Sequence, residues 1–183
     1  MPSESRWPPV YDFEELAASI KGILGSGTLE KMLYDPSDVR PSFFQGDVIR
    51  LQAEIPFIGH EGEVRVEEAP PFWAIIGNTC DFDKSVEDAA FTQLTPVWDV
   101  ASNDEVRDAV SLSSYRYYTQ FYLPPWDSTV EGRVYVADFL RPVTVHKNAF
   151  RKANVAARLS RKGWFLFHAC VVRFLARDDG RND

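Results

Sequence analysis

Phe72-Trp73-Ala74-Ile75-Ile76, closed by Gly77-Asn78 and opened by Pro70-Pro71, is the stretch on which the fold turns. Five apolar residues without a polar interruption, bounded by chain-breaking residues, predict a strand buried on both faces. Upstream, Gly46-Asp47-Val48-Ile49-Arg50-Leu51-Gln52-Ala53-Glu54 alternates in the manner of a half-buried strand, and residues 63–67 are expected to pair with it. Downstream, further strands are predicted at 91–100, 115–123 and 133–145, with a short helix at 104–110. Strands of uneven spacing with helices mainly at the two ends indicate an α+β protein and not a βαβ array. A small curled barrel, flanked by N-terminal and C-terminal helices, is the expected architecture.

At the N-terminal end, Asp12 and Glu15 have the spacing of a capping box, and Phe13, Leu16, Ala17, Ile20 and Leu24 fall on one helical face. Gly25-Ser26-Gly27 closes that helix. A second short helix is predicted over 28–34, ending at Asp35-Pro36 because a residue before proline is pushed out of helical geometry. At the other end, 147–157 and 161–176 read as two helices broken near Ser160 and Gly163. Trp164, Phe165, Leu166, Phe167, Val171, Val172, Phe174 and Leu175 leave the last helix only a narrow polar stripe, so most of its surface must be covered. It either plugs the barrel and packs on Phe13, Leu16 and Ile20, or offers part of its surface to a partner. The 183 residues are read as one domain: N-terminal helices over 1–40, a barrel core over 44–146, and basic, apolar helices over 147–177.

Charge is divided along the chain. Residues 1–140 carry 10 Lys and Arg against 24 Asp and Glu, whereas residues 141–183 carry 10 against 3. Between Leu140 and Arg177 there is no carboxylate at all. Such asymmetry points to one end docking on the other or facing a polyanion; the cationic face is read as paired within the chain or solvated, as meeting a protein partner, or as meeting nucleic acid. Arg151, Lys152, Arg158, Arg161, Lys162, Trp164 and Arg173 are the candidate binding residues, with Trp164 as a stacking group. The turn around 154–164 looks like that of a helix-turn-helix, but the helix after it is too apolar to lie in a groove.

No export signal is visible at Met1 to Pro9, and the apolar run from Trp164 to Val172 is far short of the roughly 20 residues that cross a bilayer. A cytoplasmic protein without membrane contact is the expectation. Cys80 and Cys170, in no metal or redox spacing, fit two free thiols. Three isolated histidines offer no zinc site, and the acids Asp81, Asp83, Glu87 and Asp88 lack the glycine and glutamate of a calcium loop. No metal and no cofactor are expected.

The segment Asn78-Thr79-Cys80-Asp81 is the loop candidate, because functional side chains often gather where a chain leaves a sheet. Its plainer reading is a turn in which Asn78 and Asp81 bond local backbone and Cys80 is a small buried apolar residue.

Gly46-Asp47-Val48-Ile49 is similar to the opening strand of the PemK/MazF-like toxins. Pro71-Phe72-Trp73-Ala74-Ile75-Ile76-Gly77-Asn78 resembles their Arg-Pro-(Val/Ala)-Leu-Val-(Val/Ile)-x-Asn strand, and Arg133-Val134-Tyr135-Val136-Ala137-Asp138-Phe139-Leu140-Arg141-Pro142-Val143 looks like a later segment of theirs. The resemblance covers roughly residues 44 to 160 and implies an SH3-like barrel. In members that cut RNA, an arginine precedes the proline of the third strand and a Ser or Thr ends the next one. Here Pro70 occupies the arginine position behind Glu67, Glu68 and Ala69; Arg65 is the nearest substitute and Thr95 the matching hydroxyl. The resemblance therefore implies a barrel whose chemistry has lapsed: a non-catalytic, regulatory or accessory module of a bacterial or phage-related, toxin-antitoxin-like system that binds another protein. An endoribonuclease using Arg65, Thr95 and Asp81, and a DNA-binding regulator using the basic C-terminal region, are the alternatives. Nucleic acid is disfavoured by the acidic barrel, since phosphate contacts dominate such binding, and a homo-oligomer is compatible with all three.

Overall fold

The computed structural model describes residues 22, 29–52, 54–58, 60–68, 70–100, 112–115 and 117–175. The helices expected over 13–24 and 104–110 lie outside the described residues. What is described is α+β: a curled antiparallel half-barrel sheet with a helix at its C-terminal end. In chain order the elements are α1 (Leu29–Leu33), β1 (Val48–Arg50), β2 (Glu54–Ile58), β3 (Val64–Glu68), β4 (Phe72–Ile75), α2 (Thr79–Asp83), β5 (Phe91–Asp99), β6 (Gln120–Leu123), β7 (Tyr135–Asp138), β8 (Val143–His146), β9 (Asn154–Ala157) and α3 (Arg161–Leu175). The main sheet runs β6-β7-β5-β4-β1-β9, with β8 also on β5, while β2 and β3 form a separate two-stranded sheet.

The uninterrupted apolar character of β4 is explained by its position, because both faces of the sheet around it are covered. On one face Val48, Phe72, Ala74 and Val97 pack with Phe121, Phe139 and the inner side of α3, where Leu166, Phe167, Ala169 and Cys170 sit. On the other face Ile49, Trp73, Ile75 and Leu94 pack with Ile55 and Phe150. Trp73 is fully buried and keeps its indole N–H satisfied by the Leu51 carbonyl at 3.0 Å.

Strand β5 is paired on one flank by β4 and on the other by two strands in succession. Leu94 lies opposite both Ile75 and Val143, and Val97 opposite both Phe72 and Ala137. The segment expected as one strand over 133–145 is thus split into β7 and β8. Pro96, between the two pairings, supplies the reason. Val100 donates to the Val134 carbonyl at 2.9 Å, and counting back along that register sets residue 96 opposite Asp138 as the next donor but one. Proline has no amide hydrogen, so the ladder stops there. The Asp138 carbonyl accepts instead from the Thr95 hydroxyl.

Other departures have equally local causes. Residues 63–67 pair not with the first strand but with β2, because the alternating run over 46–54 ends as a strand at Arg50 and a new one begins at Glu54. The strand expected from 115 is confined to Gln120–Leu123, since Tyr115 takes a left-handed backbone, φ 53°, in a turn. The helix expected over 147–157 is a 3-10 helix, Lys147–Lys152, followed by β9, which pairs with β1 at the sheet's edge. A strand in that place leaves no first helix for a helix-turn-helix.

Helix α3 begins where expected. Ser160 caps it by accepting from the Gly163 amide at 3.0 Å and donates its own hydroxyl to the Met32 carbonyl, tying α3 to α1. Gly163 is set against α1 so closely that a Cβ there would stand 2.1 Å from the Leu33 carbonyl oxygen. Gly163→Ala is expected to cost about 1–3 kcal/mol, although alanine is the better helix former in isolation. Denaturant unfolding measures it, and an unchanged midpoint would refute the contact.

Candidate functional site

A cleft of about 480 Å³ opens where three parts of the chain converge: the loop from Asp35 to Asp47, the start of α2 at Thr79, and the start of α3 from Ser160 to Trp164. A second cleft of about 400 Å³ lies beside it and shares Asp35, Asp38 and Arg40. Gln45 and Asp47 line the first on either side of Gly46, a step read from sequence only as the beginning of a strand; Gly46 adopts φ 89°, a left-handed backbone that glycine takes without strain.

Asp47 and Arg158 form a buried ion pair at 2.9 Å, with 4% and 8% of their side chains exposed. Asp47 also accepts from the Phe44 amide at 3.0 Å. Arg158 further donates to the Ser42 carbonyl at 3.0 Å and to the Arg40 carbonyl, so one guanidinium holds the whole 40–47 loop. Burial pushes the Asp47 carboxyl up to about 6, against the opposing pull of Arg158 and the Phe44 amide. At the rim, the Arg40 guanidinium on Asp38 holds that carboxyl down at about 2.

The second buried polar group is Gln45, 6% exposed. Its amide nitrogen donates to the Ile76 carbonyl at 2.9 Å, which fixes the side-chain oxygen as acceptor for the Trp164 indole at 3.2 Å and for His168 Nδ1 at 2.9 Å. An oxygen cannot donate, so His168 carries its proton on Nδ1 and presents Nε2 as an acceptor. Trp164 and His168 stack one turn apart on α3, centroids 5.4 Å apart, and partial burial lowers the His168 pKa. The hydroxyls nearby are occupied: Thr79 accepts from the Gln45 backbone amide at 3.0 Å, and Ser160 is the α3 cap.

The residues singled out from sequence are dispersed. Arg65 stands on β3, exposed and paired with Glu63. Thr95 is fully buried in β5 with its hydroxyl committed to Asp138. Asp81 is on α2, paired with Lys84 at 2.8 Å, and its carbonyl accepts from Lys147. The segment expected as a turn with a buried Cys80 is instead a helical turn with Cys80 exposed, and Asn78 makes no side-chain cap bond. Cys170 is buried, and that burial pushes its thiol up to about 12. Of the seven basic-region residues, Arg158 and Arg173 are buried, the latter donating to the Tyr115 carbonyl at 2.7 Å. Arg151, Lys152, Arg161 and Lys162 are exposed, and Trp164 is half-buried in the cleft.

Gln45, Asp47 and His168 are not among the residues that the sequence singles out as a site. The one available signal was the i, i+4 spacing of Trp164 and His168, which puts both on the same side of a helix. Among the described residues no group of three His, Cys, Asp or Glu side chains could hold a metal ion, and no helix is long and apolar enough to cross a membrane. No protein-family model matches the chain, and neither a curated protein nor a solved structure matches it.

Proposed function

We propose that this chain is a non-catalytic, SH3-like barrel protein that binds a macromolecular partner, and that the partner is a protein. The observation that supports this best is the use made of Thr95. A nuclease of the resembled class needs that hydroxyl free in a cleft beside a cation, whereas here it replaces the hydrogen bond that Pro96 cannot make. Arg65, the substitute cation, is neutralised by Glu63 on the separate β2–β3 sheet. The cleft around Gln45 has its acids and cations largely paired with each other, which suits a rigid binding surface more than proton transfer.

Purified protein incubated with mixed RNA is expected to leave it intact, with Arg65→Ala indistinguishable from the unaltered chain. Metal-independent cleavage that vanishes in Arg65→Ala would overturn the reading. The exposed Arg151, Lys152, Arg161 and Lys162, without an acidic partner among the described residues, favour a second reading as a binder of duplex DNA. That reading requires a gel shift that weakens steeply with salt, and no shift at low ionic strength eliminates it.

A further inference from the structure

The second cleft, of about 400 Å³, is a fork at which two segments of the chain part. The Asp35 amide donates to the Arg158 carbonyl at 3.0 Å, continuing the pairing of Tyr34 with Leu159 just beyond β9. One residue on, Pro36 has no amide to donate, and the chain leaves β9 in a turn that the Asp38 amide closes on the Asp35 carbonyl at 3.3 Å. Val155, Ala156 and Ala157 of β9 line the space this leaves, together with Tyr34, Trp126 and Asp127. All of its lining side chains lie among the described residues, and Val39, one of them, is 88% exposed, so the space is open to solvent.

Charge in this cleft is unevenly answered. Arg40 is taken up by Asp38, its Nε lying 2.7 and 2.8 Å from the two carboxylate oxygens, and Arg158 by Asp47 at 2.9 Å. Asp35 and Asp127 make no ion pair among the described residues. Each commits Oδ1 to its own turn. Asp35 accepts there from the Ser37 amide and hydroxyl at 3.1 and 2.6 Å, and Asp127 from those of Thr129 at 2.7 and 2.5 Å. The Oδ2 of each has no hydrogen-bond partner among the described residues.

An aromatic ring accompanies these carboxylates. Tyr34, Phe72 and Tyr135 hold the Trp126 indole, with ring centroids 6.4, 5.1 and 5.0 Å away, yet the indole is only half-buried and lines the cleft. Arg40 next to it shows what such groups do with a guanidinium: Asp38 binds it as a carboxylate while the Phe44 ring lies beneath it, 4.0 Å from ring centroid to guanidinium carbon. The cleft repeats that combination, carboxylate with ring, and adds a second carboxylate and a larger ring without a cation to match.

We propose that this cleft takes an arginine side chain of a partner protein, its guanidinium stacked on Trp126 with Asp35 and Asp127 supplying the opposite charge, and its alkyl stem along Val155 and Ala156. Stacking and planar bidentate bonding select arginine over lysine. This names the surface and the recognised group for the protein-binding reading above, and rests on it.

The test titrates the peptide acetyl-Gly-Arg-Gly-amide into the full, nitrogen-15-labelled chain, with the citrulline peptide as an uncharged isostere and the lysine peptide as a second control. The reporter is the Trp126 indole N–H resonance, identified by its loss in Trp126→Phe. It is expected to shift saturably with the arginine peptide, less so as salt is raised, and to stay in place with the citrulline peptide. The double variant Asp35→Asn with Asp127→Asn keeps the Oδ1 acceptors of both turns, so its spectrum stays that of a folded chain, and it is expected to bind the arginine peptide about fivefold more weakly or worse. No saturable shift, an equal shift with citrulline, or undiminished binding by the double variant overturns the proposal; lysine bound as tightly as arginine overturns the choice of guanidinium. A dimer of the unaltered chain that the double variant dissolves assigns the cleft to a second copy and overturns it as well. If the peptide fails while RNA stays intact, the protein-binding reading survives with another surface; if RNA is cut while the peptide still binds, that reading falls and the cleft stands.

Discussion

Replacing Arg158 by methionine is expected to lower the unfolding free energy by about 3–5 kcal/mol at neutral pH, the largest single-residue effect in the cleft. The side chains are of similar length, so little packing volume is lost. What is lost is the buried cation paired with Asp47, together with the donors for the carbonyls of Ser42 and Arg40. A carboxylate left in that place without its partner carries an uncompensated charge, and two backbone acceptors lose their bonds. The cost should appear as a lower denaturant midpoint with an unchanged m-value. Combining Arg158→Met with Asp47→Asn removes the charge as well as its partner, and is expected to recover part of the loss. If the double variant loses as much stability as the two single ones summed, or more, the pair is not coupled as the geometry implies.

The same pair shows what could and could not be read from the chain. Strand β4 was legible because burial on both faces leaves a mark in five consecutive residues, and α3 because a helix so apolar has to bury one side, as it does at Leu166, Phe167, Ala169 and Cys170. Local chemistry misled at residues 147–157, where Lys, Arg and Ala favour a helix; pairing with β1 overrides that preference and makes the last four a strand. The break between β7 and β8 has one mark in residues 133–145, Pro142, whereas Pro96, at which the first pairing stops, lies on the strand opposite. Arg158 sits among eight other cations from Arg141 to Arg177 and differs from them in nothing but place. Its partners come from residues 40–47, more than a hundred positions away, so only the fold distinguishes it from solvated cations such as Arg151 and Arg161. The split of charge along the sequence is thus answered in part within the molecule, at Asp47, while Arg151, Lys152, Arg161 and Lys162 stay outside.

The pH dependence of stability should carry the signature of Asp47. Its carboxyl is held at about 6 in the folded chain, chiefly by burial, above the value of about 3.9 in an unfolded one. The folded state therefore binds this proton more tightly than the unfolded state does. The resulting stabilisation is fully present below about pH 4 and is lost as pH rises through about 6. The interval of about two pH units corresponds to on the order of 3 kcal/mol. Asp47→Asn keeps a hydrogen-bond acceptor near Arg158 but has nothing to titrate. Measured between about pH 4 and pH 8, the stability of the unaltered chain relative to Asp47→Asn is expected to fall with rising pH over that window. The cost of Arg158→Met should grow over the same range, because the guanidinium matters most once Asp47 is ionised. A difference that is flat with pH, or one that favours the unaltered chain as pH rises, would mean that the ion pair outweighs burial at this site and that Asp47 is ionised throughout.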